Sequence, residues 1–167
     1  MNPDPTMASA ATLTPEARLA ALGIVLPPPW RDRENRLRAV RSGIHVYMSG
    51  HGPIDPVTEE VLVRGKIGVD LDLEAATAVA RQSAIFCLGT LKGHLGELSR
   101  VVRVVRVLGL INCTPDYEHP TLVMNGFSDL MVQAFGEPGR HTRTVMGVAT
   151  LYSNMPVEFE ALFEVRD

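Results

Sequence analysis

The chain is poor in residues that staple, anchor or strongly charge a protein. Only two of its 167 residues are cysteine, Cys87 and Cys113, and neither a CxxC spacing nor a Cys/His cluster accompanies them. That excludes a disulfide scaffold and a structural zinc site, so no metal is expected. Reduced thiols in a cytoplasm-like compartment are the expectation. Cys113 as a nucleophile would need a His or an acid at an activating spacing, and none is present, so a buried, inert thiol is the default.

Long apolar runs are missing as well. MNPDPTMASAATLTPEA at the start has no basic n-region and no apolar h-region. Nowhere does an uncharged apolar stretch reach the ~18–20 residues needed to span a membrane. A cytosolic protein with no membrane partner is expected. Basic excess is absent too: Lys and Arg number 16 against 19 Asp and Glu, for a net charge of −3. Phosphate-backbone affinity comes from clustered Lys and Arg, often interleaved with aromatics, so the composition counts against nucleic acid as the main partner. Gly65-Lys66-Ile67-Gly68 lacks the preceding Gly and following Ser/Thr of a Walker loop. No internal repeat or low-complexity block appears.

What remains is an ordinary globular composition, 46% hydrophobic and 21% charged, in a length suited to one domain. Residues 1–13, rich in Pro, Ala, Thr and Ser, read as a flexible tail, and residues 14–167 as the single domain. Thr14-Pro15-Glu16 gives an N-cap, a first-turn proline and an acid for a short helix ended by Gly23, with Leu19 and Leu22 as its apolar face. Pro27-Pro28-Pro29 is a stiff connector carrying Trp30. Leu37 to Ser49 alternates around Ser42-Gly43 as a β-hairpin.

Asp72 caps a helix over Leu73–Leu95, whose Ala76, Val79, Ala80, Phe86, Cys87 and Leu91 share one face. Val101 to Ile111 predicts a strand with a bulge near its middle, and Pro120 to Phe135 a second helix. Arg143 to Leu151 and Val157 to Val165 predict two closing strands, the last strictly alternating. The order strand-strand-helix-strand-helix-strand-strand implies an α+β fold, a single mixed β-sheet with two main helices packed on one face. Apolar residues on both strand faces suit a sheet covered on both sides.

One position carries particular chemistry. A strand that opens with Arg143 and runs into Val145, Val148 and Leu151 buries its body and keeps the guanidinium at an edge. There a small carboxylate can meet its planar donor fork.

These residues also carry a resemblance. Gly139 through Arg143 and Val148 to Leu151, with the pair Glu158 and Glu160, resembles the RidA/YjgF (UK114-like) enamine/imine deaminase family. Val46 to Asp55 (VYMSGHGPID) is similar to its strand and Ser-Gly turn, and Gly65 to Asn112 to its long helix and following strand. The likeness spans about Leu19 to Val165 and is nearer a longer branch with LGIVLPPP and GRHTR segments than the small deaminases. It implies a chorismate-mutase-like fold, a homotrimer whose sheets face inward as a barrel, and ligand clefts between neighbouring subunits.

By resemblance Arg143 binds the carboxylate of a 2-imino or 2-enamino acid, no cofactor is used, and Glu158, fifteen residues on, orients the attacking water. Glu160 shares that strand face. Ser49 and His51 lie in the Gly-rich turn and Asn125 at the pocket helix. Val145 stands where many members have Cys, a position used mainly through its backbone carbonyl. Arg36 replaces a pocket Tyr and favours a larger or doubly anionic ligand or a surface salt bridge, and Tyr152 replaces the usual Pro. Arg140 and His141 add polarity beside Arg143. The function so implied is cofactor-free hydrolysis of reactive imino acids to keto acid and ammonia. The alternatives are a non-catalytic trimeric carboxylate-binding or regulatory protein, an endoribonuclease or translation inhibitor, and a dedicated biosynthetic step.

Overall fold

Local signals set the element ends. The structure, a computed structural model, describes residues 13–167; the expected tail over 1–13 therefore lies outside the described residues except for Leu13. Helix α1 (Pro15–Ala21) begins where the Thr14 hydroxyl accepts from Ala17 N at 3.2 Å. Leu19 is buried beneath it, whereas Leu22, expected beside Leu19, lies past the helix end and is exposed. Strands β1 (Ala39–Ser42) and β2 (His45–Met48) form the hairpin, with Ser42 opposite His45. Helix α2 (Leu73–Leu95) starts at Asp72, whose carboxylate accepts from Ala75 N at 2.8 Å. Its whole expected apolar face is buried.

Strand β3 (Val101–Asn112) slips register against its neighbour twice, between Val101 and Arg103 and between Val104 and Arg106, so its irregularity sits in the first half. The expected second helix is two pieces, α3 (Pro120–Val123) and α4 (Asn125–Phe135). Val123, Met124, Gly126 and Phe127 are all buried, more than the single stripe one straight helix can turn inward. The chain tightens at Met124, where Phe127 N donates to Met124 O at 3.1 Å.

Strand β4 (Thr142–Val148) ends before the expected Leu151, because Ala149 O turns away to accept from Lys66 Nζ at 2.8 Å. Its body is not buried as expected. Val145 and Val148 are half-buried and most of its other residues exposed, since β4 is the sheet edge and pairs only with β3. Strand β5 (Val157–Val165) alternates as expected, burying Val157, Phe159, Ala161, Phe163 and Val165.

The sheet order is β1-β2-β5-β3-β4, antiparallel except for the parallel β3/β4 pair. Helices α2 and α4 cover one face of this α+β layer. Between helices and sheet lie Phe127, tilted against Phe159 with ring centres 4.7 Å apart, and the fully buried Phe163, Leu88 and Leu91, each worth about 1.5–3 kcal/mol by burial. The other face stays open in the single chain: Val40, Tyr47 and Met146 are about half exposed, at 45%, 52% and 46%.

Ahead of the hairpin, the Pro27–Pro29 connector lies along α2. A side chain at Gly89 would meet Pro27 O at 2.6 Å and one at Gly93 would meet Pro29 Cβ at 2.6 Å. Four residues apart, these two glycines open one face of the helix for the prolines, which deliver Trp30 to a buried position, 5% exposed. Among the described residues no helix is long and apolar enough to cross a membrane.

Candidate functional site

Two constellations emerge, on opposite faces of the sheet. In the β3 registers Arg143 stands beside Val107 and Glu158 beside Leu110. Side chains alternate along a strand, so an odd offset along β3 separates the two residues by face. A single chain does not bring Arg143 and Glu158 together.

Arg143 leans over the end of α4. Its Nη1 donates to Asn125 Oδ1 at 2.9 Å and to Ser128 Oγ at 3.2 Å. His141 Nδ1 sits 2.7 Å from Gly139 O, and its Nε2 3.1 Å from Ser128 Oγ. A carbonyl oxygen only accepts, so Nδ1 carries the proton, Nε2 accepts from the Ser128 hydroxyl, and the serine oxygen is left to accept from Arg143. Every polar direction in this chain of contacts agrees. Burial, helped by the Arg143 charge and opposed by the Gly139 bond, lowers the His141 pKa, which favours that neutral ring.

No carboxylate among the described residues pairs with Arg143, so an internal ion pair does not account for it. Asn125 thus ties the guanidinium to α4. Val145, half-buried on the same strand, packs against the core. Arg140 turns instead to Glu137 at 3.1 Å.

Glu158 faces a cavity of about 280 Å³ on the other side. Its walls include Trp30, Arg36, Arg38, Gly50 and Tyr152. A side chain at position 50 would collide with the Glu158 carboxylate, so the glycine lets that acid keep its present position. Desolvation, then repulsion from Glu160, raises the Glu158 pKa, while Arg36 and Arg38 pull it back. A carboxylate that holds its proton more tightly is suited to general acid–base work. Glu160 borders a different, smaller hollow with Tyr47 and Leu108, so of the two acids Glu158 is the one at the larger cavity. Arg36 is exposed at this mouth, without an ion pair among the described residues.

The Ser49 turn is held from behind. Ser49 N donates to Arg38 O at 2.9 Å, and Ser49 O lies 2.6 Å from His51 Nδ1. His51, read from sequence as part of the Gly-rich turn, is fully buried: Nε2 lies 3.0 Å from Thr90 Oγ1, and the ring stacks on Trp30 at 4.5 Å. Both ring nitrogens are engaged by protein.

Burial pushes the His51 pKa from 6.5 to about 4, against the pull of the Ser49 carbonyl. Between those values the unfolded chain takes up a proton that the native state refuses, so stability is intact above the upper value and falls as the pH drops toward the lower. The ceiling is about 3 kcal/mol. The wild-type melting temperature therefore declines from pH 6.5 to 4, and His51→Gln flattens that slope. An unchanged slope in the variant would move the effect to His141 or the carboxylates.

Sequence reasoning missed Trp30 and Arg38 as cavity walls and Ser128 as the Arg143 partner. The signals were the Arg31, Arg33, Arg36, Arg38 run behind the chain's single Trp, and Ser128 one helical turn after Asn125. Cys113 is buried and its thiol pKa is raised by desolvation, opposed by Lys66, so it offers no activated nucleophile.

Comparison with known proteins gives a consistent outcome. The family described as "YjgF/chorismate_mutase-like, putative endoribonuclease" matches residues 16–162. Protein TCP17 of Trypanosoma cruzi is 36% identical over 152 residues, 90% of this chain and 94% of that protein. The crystal structure of Atu1372 from Agrobacterium tumefaciens, a protein of unknown function, is 35% identical over 91% of this chain and 92% of that one, with a TM-score of 0.81. RidA from the Antarctic bacterium Psychrobacter sp. PAMC 21119 covers 85% of this chain and 97% of its own at 24% identity and a TM-score of 0.57. That last likeness is one of fold alone.

Proposed function

From the premise that this chain belongs to the RidA/YjgF family, with its YjgF/chorismate-mutase-like fold, we propose that it hydrolyses small reactive 2-imino and 2-enamino acids to 2-keto acids and ammonia, without a cofactor. The observation that carries the reading is the state of Arg143. One nitrogen is fixed by Asn125 and Ser128, no acid among the described residues pairs with the group, and Nε and Nη2 are left to take both oxygens of a carboxylate.

The two half-sites on opposite sheet faces are joined in this reading by assembly. A homotrimer with open faces turned inward places Arg143 of one subunit against the Glu158 cavity of the next. The carboxylate held by Arg143 fixes the imine carbon, and Glu158 orients a water that attacks it. The water oxygen becomes the keto oxygen as the C–N bond breaks, and its protons leave on nitrogen as ammonia. In an imine so held, the entropic cost of alignment is met by binding.

The test generates 2-iminopropionate with an amino-acid oxidase and traps what remains with semicarbazide. Wild type accelerates keto-acid formation and diminishes trapping, and Arg143→Ala abolishes the effect. A correctly assembled protein that leaves trapping unchanged would remove the hydrolase reading. A binding role without turnover is the second reading, favoured by the arginine-rich cavity wall; carboxylate binding with no acceleration would select it.

A further inference from the structure

The cavity beside Glu158 contains a cation without an ion pair among the described residues. Arg38 is 9% exposed, yet no carboxylate of the described residues forms an ion pair with it. The hydrogen bond of its guanidinium is from Nε to Arg31 O at 3.3 Å, and the group lies over Trp30 at 4.5 Å from the ring centre. Asp32 Oδ1 accepts from the Arg38 backbone N at 2.7 Å rather than from its guanidinium. Trp30 Nε1 is buried without an acceptor as well. Buried charges are ordinarily paired, and an unpaired one is costly.

More positive charge surrounds it. Among the described residues Arg31 and Arg36 line the same cavity without ion pairs, whereas Arg33 is taken by Glu59, and Asp55 and Glu158 are the other acids on its wall. Desolvation, then repulsion from Arg36, lowers the Arg38 pKa against the pull of Glu59 and Asp32, and an anion seated beside these arginines relieves their mutual repulsion. A cavity of about 280 Å³ suits a small molecule.

We propose that Arg31, Arg36 and Arg38 form a binding site for a second anionic oxygen group, carboxylate or phosphate, on a ligand whose first carboxylate goes to Arg143. The substrate class is then the imines of acidic 2-keto acids, carrying an anion at each end. This rests on the proposed use of Arg143 and on the proposed trimer that brings it to this cavity, but not on turnover. Planar guanidinium forks match either oxyanion, and Trp30 screens Arg38 from water.

Because Trp30 is the chain's single tryptophan, its emission reports occupancy directly. The full-length protein is titrated with 2-oxobutyrate, 2-oxoglutarate and 3-phosphohydroxypyruvate. One or both of the doubly anionic acids binds roughly tenfold more tightly than 2-oxobutyrate or better, a gain of ~1.4 kcal/mol. The stronger of the two identifies the group as carboxylate or phosphate. Arg36→Gln, at an exposed position that can lose its side chain without leaving a buried hole, reduces that preference to near unity; Arg38→Gln, if folded, does the same. Equal affinity for all three acids, or a preference that survives Arg36→Gln, overturns the proposal. A preference in a protein that fails the imine assay keeps this site and removes only the hydrolase reading.

Discussion

Arg143→Lys lowers kcat/KM for 2-iminopropionate by about a hundredfold or more, equivalent to ~2.7 kcal/mol of transition-state binding. The loss is large because of what already surrounds the group. Asn125 Oδ1 and Ser128 Oγ both accept from one guanidinium nitrogen. An ammonium has a single nitrogen, so in the variant those two acceptors compete with the substrate for the same donor. Arginine escapes the competition by having nitrogens to spare. Arg143 is exposed on an edge strand, so the melting temperature should scarcely move, surface changes being commonly within ~0.5 kcal/mol. Unimpaired turnover by the lysine variant would take the carboxylate clamp away from this residue.

Mixing two dead variants restores activity. Arg143→Ala and Glu158→Gln are each expected to lose about a hundredfold or more. If each active site takes its arginine from one subunit and its glutamate from the next, every mixed trimer of the two variants regains one intact site. Random reassembly of equal amounts then yields roughly a quarter of wild-type activity, from the symmetry of a closed ring of three. The prediction follows from the sheet: the offset of Val107 and Leu110 on β3 assigns the two side chains to opposite faces. Mixtures no better than the separate variants would place both groups at a site within one chain, or remove one of them from catalysis.

How far sequence carried the reading depended on how local each signal was. The start of α2 was legible because Asp72 caps it with its own side chain, and β5 because strict alternation needs no knowledge of its neighbours. The single mixed sheet followed from element order, whereas the pairing of β3 with β5 and β4 came only from the structure. Burial along β4 was illegible, since Val145 and Val148 look alike whether a strand is central or at the edge. The kink at Met124 arises from how many consecutive residues the core demands, which a helical pattern read alone cannot give.

At the site, the resemblance supplied Arg143, Glu158, Asn125, Ser49, His51, Val145 and Arg36, and the structure distributes them. Glu158 and Arg36 share a cavity, and Arg143 and Asn125 meet across the sheet. His51 lies behind its turn with both nitrogens occupied. That last placement depends on Thr90, far along the chain in α2, and on Trp30, so nothing in the loop sequence announced it. The partnership of Ser128 with Arg143 was within reach, being one turn beyond Asn125.

The proline connector has an evolutionary implication. Trp30 and the arginines behind it are positioned by where Pro27 and Pro29 rest in the notch left by Gly89 and Gly93, on a helix whose other duties concern the core. A drift in ligand preference can therefore begin on the back of the molecule. Enlarging either glycine would shift the rail on which the cavity wall is mounted while every residue that touches ligand stayed the same, so two relatives with identical pocket residues need not share a substrate.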